Sequence, residues 1–108
     1  MKKSRIKDLP GRELAPGVFM RPAHLDKVMV TFIDLKAGSI VPLHTHPHEQ
    51  ITVMVAGEMV YNVDGEEQTV VPGDVVLIPS GVRHGVRVTA DSVAYDCFSP
   101  IREEYIIK

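Results

Sequence analysis

The sequence has little cysteine, little excess charge of either sign and no long apolar run. Its single cysteine, Cys97, excludes an internal disulfide, which agrees with a reducing compartment. Twelve basic residues against fourteen acidic ones give a net charge of −2, so no basic stripe for nucleic acid is expected. No run approaches the roughly 20 apolar residues that a membrane helix needs. We therefore expect neither nucleic-acid nor membrane partners.

Two further absences concern the start of the chain and its helices. Residues 1–5 are basic, but residues 6–10 lack the apolar segment of a secretory signal, so we expect a cytoplasmic protein. No helical periodicity appears before the final stretch, where residues 101–105 could make one helical turn. Internal repeats and low-complexity linkers are also lacking. At 108 residues and 44% hydrophobic, the chain predicts one soluble domain with a single core.

The sequence does contain many short apolar segments separated by turn signals. Asp64-Gly65 predicts a tight hairpin, and Pro72-Gly73 is another break. Short strands at a spacing of roughly 8 to 12 residues are typical of an all-β sandwich or barrel. We therefore predict an all-β single domain, with an N-terminal arm at about 1–16, a barrel at about 17–99 and a C-terminal tail at 100–108. The predicted strands are 17–20, 27–35, 40–44, 50–56, 58–63, 68–71, 74–78, 85–88 and 92–98.

The strongest chemical signal is the segment His44-Thr45-His46-Pro47-His48-Glu49-Gln50, between two predicted strands. In an extended chain His44 and His46 point to one face, because side chains alternate. Gln50 opens the next strand, and His84 follows the turn at residues 79–81. Imidazole is a common ligand of divalent transition metals at neutral pH. We predict one divalent metal ion bound by His44, His46, Gln50 and His84.

Two neighbouring side chains are alternative participants. If Gln50 points inwards at the start of its strand, Glu49 points the other way and would be solvated. It would be a ligand only in place of Gln50. His48 follows the turn proline and could line the entrance or hydrogen-bond a ligand rather than bind the metal.

The expected ligand set has a defined charge. Three neutral imidazoles and one amide leave a divalent ion with its full positive charge, which makes it a strong Lewis acid toward anionic or hydroxylated molecules. Nickel, zinc, iron or manganese are favoured over calcium. With four protein ligands, one or two positions stay open for water or a small-molecule substrate.

The strand after the histidines is apolar on both faces. Thr52 and Met54 share the face of Gln50 and should line the interior, while Ile51, Val53 and Val55 point outwards. A small domain with such an outer face normally covers it with a partner, which favours a homodimer. Alternatively, residues 9–20 fold over this face.

The spacing around the histidines resembles the first motif of the cupin family. Gly38 is followed after five residues by His44, and His46 follows after one more. Gln50 comes after three further residues, where the family usually has Glu, and Gly57 ends the motif after six more.

A later segment of the sequence resembles the second cupin motif. Gly73 is followed after five residues by Pro79, after one more by Gly81 and after two more by His84. Val88 stands where the family usually has Asn. The resemblance implies a cupin-type double-stranded β-barrel, which is jelly-roll-like, in a single domain.

The C-terminal segment Asp96-Cys97-Phe98-Ser99-Pro100-Ile101-Arg102 resembles a narrower group. These are the single-domain cupins of pectin and alginate catabolism that convert 4,5-unsaturated uronates to linear ketouronates. The resemblance implies that Asp96, Phe98 and Arg102 border the metal site. Arg102 would hold the substrate carboxylate, Asp96 would carry a proton and Phe98 would form an apolar wall. Alternatively, Asp96 and Arg102 form an ion pair and Phe98 belongs to the core.

Two other classes of function use the same ligands. A three-histidine iron or manganese site can also bind dioxygen, as in dioxygenases of the quercetinase or small manganese-cupin kind. A cupin can also bind or sense a ligand without catalysis. Convergence of Asp96 and Arg102 on the metal would favour the sugar-acid enzyme over both.

Overall fold

The computed structural model describes residues 1–108 and contains eight strands with two single 3₁₀ turns. All strand pairs are antiparallel, which confirms the all-β prediction. None of the helical turns has the length and hydropathy needed to cross a bilayer. The strands are β1 (Arg12–Ala15), β2 (Val18–His24), β3 (Met29–Leu35), β4 (Ile40–His44), β5 (Glu49–Val63), β6 (Glu66–Val70), β7 (Val75–Ile78) and β8 (His84–Ser99), and the 3₁₀ turns are Ile6–Asp8 and Glu103–Tyr105.

The fold is built on two long strands, β5 and β8, which pair with each other along most of their length. The first part of β5 also pairs with β7, and its second part with β6. In the same way, the start of β8 pairs with β4 and its end with β3. The strands therefore form two connected layers, β7-β5-β8-β3-β2-β1 and β4-β8-β5-β6, as expected for a jelly-roll-like barrel.

The long strands correct the prediction that residues 50–56 and 58–63, and likewise 85–88 and 92–98, are separate strands. Gly57 has a φ of +87°, and the register of β5 against β8 shifts on both sides of it. A glycine in this conformation bends the chain, and pairing with β8 resumes beyond it. What resembled a strand break is a bend within one strand.

Strand β1 was missed, because Arg12-Glu13-Leu14-Ala15 contains two charged residues and no β-branched one. It lies within the expected arm and pairs with β2. Strand β2 also continues beyond the predicted end at Met20, through Pro22, to His24. A proline within a run weakens a strand prediction. The expected C-terminal helical turn is the 3₁₀ turn Glu103–Tyr105.

The core lies between the two layers and is rich in methionine. Thr52 and Met54 on β5 point into it, as expected, and they alternate with the more exposed Ile51, Val53 and Val55. The buried apolar cluster comprises Val18, Met20, Ile33, Leu35, Met54, Met59, Tyr61, Val70, Ile78, Val86, Val88 and Ala94.

Candidate metal centre

Three histidines meet at one end of the barrel. His44 ends β4 and is the register partner of His84, which begins β8, while His46 lies in the loop before β5. The ring centroids of His44 and His84 are 4.3 Å apart, and those of His46 and His84 are 4.8 Å apart. One potential ligand atom from each ring lies within 4.8 Å of the others. These three residues could therefore hold a metal ion.

The backbone fixes the tautomer of all three rings. Each Nδ1 lies 2.8 to 3.0 Å from a carbonyl oxygen two residues away in the sequence. Because a carbonyl only accepts, each Nδ1 is the protonated nitrogen and donates. Each Nε2 therefore keeps the lone pair that a metal ligand requires. The pairs are His44 with Pro42, His46 with His48 and His84 with Val82.

The Nε2 atoms lack ordinary hydrogen-bond partners. Nε2 of His84 is buried and has no partner at all. Nε2 of His46 faces Oε1 of Gln50 at 3.0 Å, although both atoms carry lone pairs. Two ligand atoms that bind one ion at about 2.1 Å and at a right angle are about 3.0 Å apart. The residues therefore fit a divalent metal.

The electrostatics favour the neutral form of the His46 and His84 rings. Burial, the charge of Arg102 and the neighbouring His84 lower the pKa of His46 from 6.5 to about 4. Burial is also the main cause that lowers the pKa of His84, with smaller contributions from His44 and Arg102. Neutral imidazole is the form that coordinates metal ions, so the site is ready for a cation at pH 7.

Glu49 and His48, the two alternative participants in the site, lie outside the cluster of ligand atoms. Gln50 is buried and points toward the histidines, whereas Glu49 is exposed on the other side of β5. His48 is not among the converging ligand atoms, and its ring centroid is 5.5 Å from that of His46. Its carbonyl instead accepts from His46, so its backbone orients a neighbouring ring.

A chain of hydrogen bonds leads from Gln50 into the barrel. Nε2 of Gln50 donates to Oγ1 of Thr52 at 3.0 Å, and Thr52 donates to Oδ1 of Asp96 at 2.6 Å. Burial raises the pKa of Asp96 from 3.8 to about 6, although the Thr52 hydroxyl and Arg102 oppose the rise. Sequence reasoning placed Thr52 in the interior but missed its polar role, which depends on a partner more than forty residues away.

Arg102 lies at the same end of the barrel and does not pair with Asp96. Its Nε donates to Oε1 of Glu104 at 2.7 Å, so the alternative of an Asp96–Arg102 ion pair is wrong. Its guanidinium carbon is 4.1 Å from the ring centroid of Tyr105 and 5.2 Å from that of Phe98. Tyr105 and Glu104 were not identified from the sequence, where nothing distinguishes them from their neighbours in the C-terminal tail.

The site and the core share a narrow cavity of about 60 Å³. The cavity is narrow, so a ligand much larger than water has to approach from the mouth. A wider groove of about 400 Å³ between β6 and β7 contains none of the predicted site residues. The narrow cavity is lined by His44, Gln50, His84, Asp96, Phe98 and Arg102, together with Tyr61, Tyr105 and apolar core residues.

The comparisons with known proteins agree with this architecture. The family model described as the cupin domain matches residues 31–95. An RmlC-like cupin from Shewanella frigidimarina superposes with a TM-score of 0.92 at 26% identity, over 98% of this chain and 96% of that protein. KdgF from a Halomonas species superposes with a TM-score of 0.87 at 27% identity, over 93% of this chain and 95% of that one.

One relative is named for a different activity. The dimethylsulfoniopropionate lyase DddQ of Ruegeria pomeroyi is 34% identical over 67 residues, which is 61% of this chain and 33% of that enzyme. The chain thus matches about a third of the length of the lyase.

Proposed function

This chain belongs to the cupin family, and we propose that it is a metal-dependent enzyme that acts on a small anionic sugar derivative. The reaction we propose is the conversion of 4,5-unsaturated uronates to linear ketouronates. One observation carries the proposal: Asp96 and Arg102 line the same cavity as His44, Gln50 and His84. The likeness to KdgF over nearly the whole of both chains supports this choice.

The proposed ligands are the Nε2 atoms of His44, His46 and His84 and the amide oxygen of Gln50. The geometry in favour is the convergence of the three rings and the unpartnered Nε2 of His84. One divalent transition metal, either nickel, zinc, iron or manganese, suits imidazole and amide ligands. When bound, it would supply Lewis acidity toward a substrate oxygen.

Arg102 is the proposed clamp for the substrate carboxylate. Its Nε is held by Glu104, and its guanidinium plane lies near the rings of Tyr105 and Phe98. The terminal N–H groups are then free for a bidentate contact with a carboxylate. The side chain is only 12% exposed, which strengthens such a contact by excluding water.

Asp96 is the proposed proton carrier. In the isomerisation, the hemiacetal hydroxyl loses a proton, the ring C–O bond opens to an enolate, and a proton added at carbon 4 completes the ketone. Proton transfer is efficient when the pKa of the acid lies near the working pH. The pKa of about 6 that burial gives Asp96 meets this condition. Phe98 would form the apolar wall beside it.

The test is steady-state kinetics on Δ4,5-unsaturated galacturonate and glucuronate with protein of measured metal content. The ultraviolet absorbance of the unsaturated ring should disappear with wild type. H84A should lose metal and activity together, whereas Asp96→Asn, compared with wild type at matched metal occupancy, should lose mainly kcat. A fully metallated wild type that is inert on both sugars would contradict the proposal.

The similarity to DddQ makes a lyase the second candidate. Dimethylsulfoniopropionate is also a small carboxylate, but it carries a sulfonium cation that aromatic faces commonly bind. Here the Arg102 cation already lies near the faces of Phe98 and Tyr105, which disfavours a second cation. The same protein should therefore be assayed for dimethyl sulfide release. Oxygen consumption with a phenolic substrate tests the dioxygenase alternative.

We also propose that the protein is a homodimer joined through the outer face of β5 and β7. Ile51 pairs with Leu77 and Val53 with Val75 on this face. Ile51 is 44% exposed and Leu77 68% exposed, so the N-terminal segment does not cover the face. An exposed apolar patch of this kind suits a self-complementary contact between two copies.

A further inference from the structure

Thr52 connects the amide of Gln50 to the carboxylate of Asp96. Its hydroxyl donates to Oδ1 of Asp96 at 2.6 Å and accepts from Nε2 of Gln50 at 3.0 Å. All three side chains are buried, and Thr52 is entirely hidden from solvent. The contact is built into the sheet, because Thr52 on β5 is the register partner of Asp96 on β8.

The direction of these hydrogen bonds determines which end of the amide faces the histidines. A threonine hydroxyl has one proton, so once Thr52 donates to Asp96 it offers only lone pairs to Gln50. Gln50 must then turn its N–H group toward Thr52 and its oxygen toward Nε2 of His46, as observed. The opposite orientation would direct the amide N–H group at the point where the imidazole nitrogens converge, and would repel a cation.

We propose that Thr52 is a positioning residue that selects the metal-binding orientation of Gln50, with Asp96 as the acceptor that holds the hydroxyl proton. The distance of 2.6 Å lies in the range of charge-assisted O–H···O⁻ bonds, so the proton has a strong preference for Asp96. Asp96 therefore acts on the metal centre through two hydrogen bonds as well as on the substrate. This inference rests on the metal centre proposed above, but not on its substrate.

The experiment is a titration of metal-free protein with Co²⁺, followed by calorimetry and by visible absorption. Thr52→Val removes the hydroxyl at nearly constant volume, and we expect it to weaken Co²⁺ binding about 10- to 100-fold. The absorption bands of bound Co²⁺ should also change, because an oxygen ligand is lost. Thr52→Ser keeps the hydroxyl and should restore both. Wild-type affinity and bands in T52V would overturn the proposal.

Thr31 provides a matched control. It is also fully buried, and it is the register partner of Asp96 on the other side of β8. Its hydroxyl reaches the backbone oxygen of Asp96 at 3.4 Å and has no link to Gln50. Thr31→Val should therefore leave Co²⁺ affinity unchanged. An equal loss in T31V would overturn the proposal, because loss of any buried hydroxyl would then have the same effect.

A second genetic background, Gln50→Glu, separates an effect of Thr52 on the orientation of the Gln50 amide from an effect on packing. A carboxylate has two equivalent oxygens and needs no partner to choose between them. In a Gln50→Glu background, the additional change Thr52→Val should therefore have little effect on Co²⁺ affinity. A penalty as large as in the Gln50 background would indicate a packing defect and overturn the proposal. If T52V does not fold, judged by circular dichroism, Thr52→Ala makes the same comparison without the extra branched methyl group.

His84→Ala separates failure of this inference from failure of the metal centre. If wild type binds Co²⁺ no better than H84A, the metal centre is wrong and the role of Thr52 falls with it. If wild type and T52V bind equally well and H84A does not, only the role of Thr52 is wrong. Neither result depends on activity toward uronates.

Discussion

At the residue scale, the shape of the Arg102 side chain matters as much as its charge. Arg102→Lys should raise KM and lower kcat/KM by about 10- to 100-fold, because the planar, bidentate contact with the substrate carboxylate is lost although the charge remains. Lysine also cannot keep the bond from Nε to Glu104 or lie flat near Tyr105. Metal content should stay at the wild-type level. Steady-state kinetics on an unsaturated uronate, with metal analysis, measure both.

Arg87→Lys is the matched control for this change. Arg87 lies at the surface on β8. Its contact with Glu67 is 3.8 Å long, and both side chains are more than half exposed. R87K should leave kcat and KM unchanged. A similar loss in both variants would show that Arg102 has no special role in substrate binding.

Two buried groups make opposite contributions to the pH dependence of stability. The pKa of Asp96 is raised from 3.8 to about 6, so its contribution to stability is complete below pH 3.8 and is lost as pH rises through 6. The pKa of His46 is lowered from 6.5 to about 4, so its contribution is present above pH 6.5 and is lost as pH falls through 4. Between pH 4 and 6.5 the two effects oppose each other.

Asp96→Asn should remove the contribution of Asp96 to the pH dependence of stability and leave that of His46. In metal-free protein, the free energy of unfolding should rise more steeply from pH 4 to pH 7 in D96N than in wild type, by on the order of 2 to 3 kcal/mol. Urea unfolding at a series of pH values measures the difference. Parallel curves for the two proteins would mean that Asp96 titrates normally in the folded state.

The histidines could be found from sequence because two of them share a face by simple alternation, and the third follows a recognisable turn. Thr52 and Glu104 could not be given roles in the same way. The role of Thr52 depends on the register of β5 against β8. Glu104 lies only two residues from Arg102, and its role depends on the local 3₁₀ turn that brings the two side chains together. Spacing within one segment therefore predicts ligands, whereas contacts between segments require the fold.

At the scale of elements, the bend at Gly57 allows β5 to belong to both layers. Gly57→Ala should destabilise the protein by about 3 to 5 kcal/mol, because alanine disfavours a φ of +87° and its methyl group would clash with Asp91 and Ser92. Gly73 has a φ of +94° but open space around it, so Gly73→Ala should cost only about 1 to 2 kcal/mol. Denaturant unfolding of both variants measures the difference. Equal losses would contradict the argument from the bend.

The same bend explains why strand boundaries were the weaker part of the sequence prediction. Glycine and turn residues mark places where the chain changes direction, but they do not reveal whether pairing continues beyond them. At Asp64-Gly65 the chain reverses as a hairpin, and β5 pairs directly with β6. At Gly57 the register against β8 shifts and the pairing then resumes, so one strand continues. Only the pairing with a neighbouring strand distinguishes a hairpin from a bend within one strand.

At the scale of the whole molecule, the all-β class followed from strand spacing, and the two motifs led to the jelly-roll-like fold. The narrow cavity could not be predicted, because its volume depends on how large side chains such as Tyr61 and Phe98 pack from opposite layers. Which apolar face is covered also depends on the arrangement of strands. The N-terminal strands β1 and β2 extend the sheet beyond β3, so they lie away from Ile51 and Leu77.

The exposed face of β5 and β7 is therefore the contact that we propose for a dimer. Leu77→Lys places a charge at the most exposed apolar position of this face, where burial against a second copy would leave the charge unpaired. In light scattering after size-exclusion chromatography, we expect wild type to be a dimer and L77K to be a monomer. Because the candidate metal centre is complete within one chain, L77K should still bind Co²⁺ with wild-type affinity.

Ile40→Lys is the control for surface charge. Ile40 is 59% exposed, but it lies on β4 in the other layer, so I40K should remain dimeric. If both variants are monomeric, the contact is not confined to the face of β5 and β7. If both variants are dimeric, the two copies join elsewhere. A monomeric L77K that also loses Co²⁺ affinity would contradict a metal centre that is complete within one chain and independent of this face.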